Sequence, residues 1–296
     1  MKRIKIKSPA KINLGLNVIE KRADGYYNIE TVFQMINLYD DIIFTESSND
    51  IELHSSSKDI PLDDGNLSYR AARLLREKTG IKKGVSINID KHIPVSAGLG
   101  GGSSNAAVTL LGLNYIWDLK LPRNELISIA KSLGADVPFF LSASCAYGTG
   151  RGDEIQNLPV KSSFYVILLN SGCAISTKWV YANLRLNLTR NKRDIKILKF
   201  MLVRGDIAEM SSLLFNDLES VVEKKYGIIN EMKEALLSAG ALGAAMSGSG
   251  STVFGVFKDY PSAEYASSKL KGKGWFLFLA ETLTSLQKVY PEEVIV

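Results

Sequence analysis

Pro94-Val95-Ser96-Ala97-Gly98-Leu99-Gly100-Gly101-Gly102-Ser103-Ser104-Asn105-Ala106-Ala107 is the stretch on which the reading of this chain turns. Before it, residues 85–89 alternate apolar and polar, the pattern of a strand. After it, residues 105–117 are rich in Ala and Leu, the pattern of a helix. A plain Gly/Ser linker is the bland alternative, but linkers do not run from a strand straight into an Ala-rich helix. Gly98, Gly100, Gly101 and Gly102 let the backbone approach a ligand closely and take positive φ. Successive N–H groups in such a turn make an anion-binding concavity, and the helix start behind adds partial positive charge. Ser103 and Ser104 add hydroxyls for phosphate oxygens or a magnesium ion. Residues 94–104 are therefore expected to hold nucleotide phosphates. Two better-known phosphate loops are excluded. No G-x-x-x-x-G-K-[ST] occurs, and G-x-G-x-x-G fails from Gly98, whose fifth following residue is Ser103, and from Gly100.

Upstream, Ile4, Ile6, Ile12, Leu14, Leu16 and Val18 fall on even positions, which predicts half-buried strands broken or bulged at Pro9. Lys11, Asn13 and Asn17 share the opposite face. A turn at Asp24-Gly25 leads to predicted strands over 29–36, 41–45 and 51–54. A helix over 66–78 has Asn66 as its cap and Leu67, Ala71, Leu74 and Leu75 as its buried stripe. Downstream, a helix over 124–133 stops at Gly134. Beyond it we expect strands over 164–169, 252–257 and 275–282, with helices over 176–184, 195–203, 207–215, 228–238 and 263–271. Residues 188–194 read as a polar, basic loop. The change of character near 157–163 divides the chain into domains 1–158 and 159–296. No fixed-period repeat occurs.

Composition removes several function classes. With 296 residues, 46% hydrophobic and 23% charged, the chain reads as an ordinary globular protein. The net charge of +5 suits an anionic ligand but is too diffuse for nucleic acid. No run reaches the about 18 apolar residues of a membrane span, and the start lacks a signal peptide's features. Cys145 and Cys173 fit no metal spacing and read as two buried thiols of a reduced cytosolic protein. His54 and His92 are the only histidines, which leaves no basis for His-dyad chemistry.

Asp136 follows the helix stop and precedes Val137-Pro138. From the residues alone, a helix N-cap and a catalytic carboxylate are equally good readings of it. Lys11 by itself reads as an ordinary lysine on the exposed face of a strand.

Three motifs in order change those odds. Residues 94–107 closely resemble the ATP loop of the GHMP kinase superfamily. Ser8-Pro9-Ala10-Lys11-Ile12-Asn13-Leu14 resembles its first motif, and Gly243-Ala244-Ala245-Met246-Ser247-Gly248-Ser249-Gly250-Ser251-Thr252-Val253-Phe254 its third. The resemblance spans nearly the whole chain. It implies an α+β fold of two domains, the first of the ribosomal protein S5 domain 2-like type and the second ferredoxin-like. Arg22-Ala23-Asp24-Gly25-Tyr26-Tyr27, Phe33-Gln34 and Leu133-Gly134-Ala135-Asp136-Val137-Pro138 resemble one branch of the superfamily. In that branch ATP phosphorylates the 2-hydroxyl of a small-molecule cytidine diphosphate substrate, in the cytoplasm, during isoprenoid precursor synthesis.

On that resemblance Asp136 accepts the hydroxyl proton, and Lys11 keeps it ionised and oriented. Pro94 to Ser104 bind ATP, with Mg2+ implied by the chemistry and no acidic residue assigned as its ligand. Asn13, Tyr26, Tyr27, Phe33, Tyr181 and Gly248 contact the acceptor, with Tyr26 and Tyr181 stacking on the cytosine. Tyr27 departs from the family, which carries a histidine there to read the base edge. Rival readings are a homoserine- or mevalonate-type kinase of the same superfamily, or a nucleotide-binding protein without catalysis.

Overall fold

The computed structural model describes residues 2–48, 50–185 and 194–294. Two long strands, β1 (Arg3–Lys21) and β2 (Tyr27–Ser47), form an antiparallel hairpin that organises the first half. The segments expected as separate strands at 29–36 and 41–45 are one strand. Pairing slips between Pro9↔Tyr39 and Ala10↔Ile36, so the irregularity is absorbed as a bulge rather than a break. Pro9 has no N–H to give the ladder, which is why the slip falls there.

β3 (Ile51–Ser55) and β4 (Gly84–Asp90) extend the sheet, as do β5 (Cys145–Thr149) and β6 (Glu154–Asn157). β4 pairs with residues 41–47 of β2, while β5 pairs with residues 31–34. In the gap between those partners the turn after β4 docks on β2, its His92 and Ile93 N–H groups donating to Asp40 at 2.8 and 2.9 Å. The glycine loop is thereby fixed at its upstream end.

Helices α1 (Leu67–Thr79), α2 (Gly101–Ile116), α3 (Arg123–Leu133) and α4 (Val137–Ser142) cover one face of this sheet. Their apolar stripes meet Ile42, Phe44 and Ile87 of the sheet. Asn66 caps α1 by accepting from the Ser68 N–H. α2 begins earlier than the residue 105 expected, so Gly101–Ser104 form its first turn. Gly134 ends α3 as expected but at φ 176°, extended rather than left-handed.

The second half contains β7 (Tyr165–Asn170), α5 (Thr177–Ala182), α6 (Ile195–Arg204) and α7 (Ile207–Ser212). They are followed by β8 (Phe215–Asn216), α8 (Glu219–Lys225), α9 (Ile228–Ser238) and β9 (Gly243–Met246). β10 (Val253–Phe257), α10 (Tyr260–Leu270) and β11 (Phe276–Glu281) complete it. The second sheet is antiparallel, in the order β11-β7-β10-β9. With helices after β7 and after β10, this is the split βαβ arrangement of ferredoxin-like folds.

The helix expected over 207–215 is too long. It stops at Ser212, and Phe215–Asn216 instead form β8, parallel to β1 at Gly15–Leu16. The second half thus donates a strand to the first sheet. In return, Leu283, Leu286, Val289 and Tyr290 fold back into the first core. Ile12, Leu14 and Val32 share a further core with Leu168 and Phe254 of the second sheet. A large-to-small change in such a shared core costs about 2–5 kcal/mol, so the halves are fixed by apolar packing.

The basic loop expected at 188–194 lies outside the described residues apart from Asp194, which caps α6 by accepting from Lys196 N–H. Both cysteines are free. Cys145 is buried as expected, but Cys173 is exposed, because it sits in the irregular segment after β7 rather than in a strand. Among the described residues no helix is long and apolar enough to cross a membrane.

Candidate active site

A cleft of about 1100 Å³ opens between the glycine loop, the tip of the β1–β2 hairpin and the start of α5. Lys11, Asn13, Phe33 and Asp136 line its floor. Lys11 and Asn13 reach it because strand alternation puts them on one face of β1, opposite Ile12 and Leu14 in the core.

Lys11 is 3% exposed, so its ammonium is taken almost wholly out of water. It donates to Asn13 Oδ1 at 2.6 Å and to the Gly98 carbonyl at 3.0 Å, and lies 3.6 Å from Asp136 Oδ2. Burial holds its pKa below the usual lysine value, and the Asp136 carboxylate partly counters that shift. The expectation of an exposed strand lysine from periodicity alone therefore does not hold. Asp136 occupies the N-cap position of α4, yet its side chain makes no capping hydrogen bond. It points to Lys11 instead and remains one-third exposed. Of the pair, the carboxylate is the member that an incoming hydroxyl can reach. Asn13 is oriented in turn by donating to Thr31 Oγ1 at 2.8 Å.

The glycine loop and the third motif interlock. Ala97 and Leu99 point into the core and anchor the loop, while Val95 and Ser96 face outward. Gly98 has φ +77°, and a Cβ there would lie 2.1 Å from the Ser247 carbonyl. Its own carbonyl accepts from Lys11 Nζ and, at 2.9 Å, from Ser247 Oγ. Gly100 has φ +70°, and a Cβ there would press on the Lys11 stem and the Phe140 ring at 3.0 Å. These two positions require glycine for both conformation and space. Thr252 N–H donates to the Ala97 carbonyl at 3.2 Å, closing the contact between the loops.

Ser103 lines the cleft, but Ser104 does not. Ser104 is fully buried and its Oγ accepts from Ser8 Oγ at 2.7 Å, while its N–H donates to Gly100. Ser104 lies four positions after Gly100, one helical turn on, and that turn carries its hydroxyl inward. It joins a buried network in which Asn105 Nδ2 donates to Ser8 Oγ and Asp40 Oδ2, each at 2.9 Å. Asp40 also pairs with the Lys91 ammonium, which lines the cleft beside Gly101.

The expected sandwich joined Tyr26 and Tyr181, and the ring on which Tyr181 packs is Tyr27. Tyr27 stacks on Tyr181 with ring centroids 5.1 Å apart, and its hydroxyl donates to the Tyr181 carbonyl at 3.2 Å. A base inserted between two rings needs about 7 Å, so the space between Tyr27 and Tyr181 admits none. Tyr26 lies at the exposed rim under the Arg151 guanidinium, 5.2 Å from its ring centre. Burial, and then Asp136 and Tyr27, push the Tyr181 phenol up from its ordinary value. Gly248 lines the cleft beside Lys11.

Sequence reading missed Lys91, Arg151 and Thr177, all of which line the cleft. Arg151 sits between Gly150 and Gly152, both at positive φ, so the Gly-Arg-Gly turn was a legible signal. Lys91 follows β4 directly, beside the loop. It also missed the apolar wall of Ile60, Pro61 and Leu67 at one end of the cleft, which no motif marks.

The profile of the GHMP kinases N terminal domain matches residues 66–144, and that of the GHMP kinases C terminal domain matches residues 200–274. A 4-diphosphocytidyl-2-C-methyl-D-erythritol kinase of Pelobacter propionicus is 42% identical over 285 residues, 96% of this chain and 100% of the relative. The crystal structure of a 4-(cytidine 5'-diphospho)-2C-methyl-D-erythritol kinase superimposes with a TM-score of 0.80 at 31% identity, covering 94% of this chain and 99% of the other. A homoserine kinase from Cytophaga hutchinsonii gives a TM-score of 0.75 at 17% identity, covering 96% of each chain, a likeness of fold alone.

Proposed function

The chain belongs to the GHMP kinase family, and on that premise we propose that it phosphorylates the 2-hydroxyl of 4-diphosphocytidyl-2-C-methyl-D-erythritol with ATP, a step of isoprenoid precursor synthesis in the cytoplasm. The observation that carries the chemistry is the buried Lys11 against the partly exposed Asp136, beside a glycine loop that offers N–H groups to phosphates. The acceptor rests on identity above 40% with kinases of that substrate along nearly the whole chain.

In this reading the acceptor oxygen attacks the γ-phosphorus, the bond to the β-phosphate bridging oxygen breaks, and ADP leaves. Asp136 takes the hydroxyl proton, a contribution of about 10²–10⁴-fold. Lys11, 3.6 Å from Asp136 Oδ2, orients that carboxylate. Its own charge is tolerated in the interior because Asn13, Gly98 and Asp136 all accept from it or pair with it. The loop from Pro94 to Ser103 cradles the phosphates, and the apolar wall of Ile60, Pro61 and Leu67 accepts the adenine. The outer face of the Tyr27–Tyr181 pair takes the cytosine. Among the described residues no three carboxylate, histidine or cysteine side chains cluster. Ser103 and Asp136 line the cleft and would offer oxygens to a magnesium ion, which would supply charge neutralisation on the ATP phosphates. Domains 1–158 and 159–296 supply the two walls.

The test is phosphate transfer from Mg-ATP to the cytidine acceptor, with homoserine and mevalonate in parallel and Asp136→Ala as the control. Turnover of the cytidine acceptor alone, lost in the variant, is expected. Transfer to homoserine or mevalonate instead would overturn the acceptor. ATP binding with no transfer to any of the three would leave a nucleotide-binding protein.

A further inference from the structure

We propose that Asn216 is a positioning residue for phosphoryl transfer, which aims the Ser249 N–H into the cleft by clamping the turn of the third motif from behind. The proposal rests on the kinase reading of the site.

Asn216 lies in β8, is buried, and does not line the cleft. Its carboxamide nitrogen donates to the Met246 carbonyl at 2.8 Å and to the Gly248 carbonyl at 2.7 Å. Its oxygen accepts from Leu218 N–H at 3.0 Å, so every polar position of the side chain is used and its orientation is fixed. The adjoining segment adds a further hold, for Glu219 Oε2 accepts from Met246 N–H at 2.7 Å.

Elementary peptide geometry gives this clamp its consequence. The only cis bond among the described residues is Gly250–Ser251, so the Gly248–Ser249 peptide is trans. In a trans peptide the carbonyl and the N–H point in opposite directions. Holding the Gly248 carbonyl against Asn216 therefore turns the Ser249 N–H the other way, toward the cleft that Gly248 and Ser249 line. Neighbouring donors of the turn are consumed internally. Ser247 N–H goes to the Thr252 carbonyl at 2.9 Å, and Gly250 N–H to the Ser247 carbonyl at 3.0 Å. Among the described residues no acceptor takes the Ser249 N–H. It is a fixed donor without a protein partner, beside the glycine loop, and a nucleotide phosphate oxygen is the ligand chemistry that completes it.

β8 is also the right base for the clamp. Asn216 pairs with Leu16 of β1, the strand that carries Lys11 and Asn13. The clamp and Lys11 are thus referenced to one strand.

Asn216→Ala should lower kcat by about 10–100-fold, with KM for ATP and for the acceptor each within about threefold of wild type. A merely structural residue would instead lower the melting temperature and the active fraction without changing kcat per folded molecule. A folded Asn216→Ala enzyme with unchanged kcat, or with its loss confined to KM, would overturn the proposal. Wild-type protein supplies a second measurement that does not depend on the variant's folding. The Ser249 amide proton should move downfield when a non-hydrolysable ATP analogue binds, and an unmoved resonance would also overturn it. If wild type fails to phosphorylate the cytidine acceptor while the Ser249 amide still responds to nucleotide, the substrate assignment falls and the role of Asn216 stands.

Discussion

Replacing Gly98 or Gly102 by alanine should have opposite effects on stability and the same effect on function. Gly98 sits at φ +77°, where an L side chain costs about 1–2 kcal/mol. Its new Cβ would lie 2.1 Å from a backbone carbonyl, Ser247 O, with the Gly250 backbone at 3.1 Å, so no rotamer relieves the clash. The third motif must retreat, and the bonds from Lys11 Nζ and Ser247 Oγ to the Gly98 carbonyl weaken with it. At about 1 kcal/mol for each bond, the total loss is about 3–4 kcal/mol, or a fall in Tm on the order of 5–10 °C. Gly102, in the first turn of α2, has open space around its would-be Cβ and no positive φ. There alanine should hold or raise stability, by up to about 1 kcal/mol. The same methyl would nonetheless project where the backbone must approach phosphate, and KM for ATP should rise about tenfold or more. Calorimetric melting and steady-state kinetics on both variants are the assay. An unchanged Tm in Gly98→Ala would refute the interlock of the two loops. An unchanged KM for ATP in a stable Gly102→Ala would show that the phosphates do not approach α2 at that residue.

Burial depresses the Lys11 pKa below 10.5, so the unfolded chain takes up this proton first as pH falls. Stability from this group is complete above 10.5, declines as pH drops through the folded value, and is level below it; the alkaline limb of kcat should likewise lie below 10.5. Asp136→Asn removes the charge that opposes the shift, so lysine-side-chain NMR should find Lys11 titrating lower still, and an unmoved resonance would contradict the pairing. Tyr27→Ala should raise KM for the cytidine acceptor about tenfold while leaving KM for ATP unchanged, since stacking on one aromatic face is worth about 1–3 kcal/mol. Equal rises in both constants would place the base elsewhere.

The glycine loop, the order of the three motifs and the two-fold alternation of β1 were fully legible in the chain, because each depends on local backbone chemistry. A run such as 94–104 has few conformations other than a strand-to-helix turn, and alternation alone put Lys11 and Asn13 on a shared face. Burial of Lys11 was not legible. It depends on Gly98 and Asp136, which arrive from separate elements to join Asn13 around the ammonium. The inward turn of Ser104 was decided by where α2 begins, and that start depends on Asp40 and Asn105 tying the loop to the sheet. The pairing of Tyr181 with Tyr27 rather than Tyr26 followed from the hairpin tip, where adjacent residues face opposite ways. β8 shows the limit most plainly. Phe215-Asn216 has no strand signal of its own and pairs only because β1 offers an edge there. Local pattern determined which residues could do chemistry, and long-range pairing decided which of them meet.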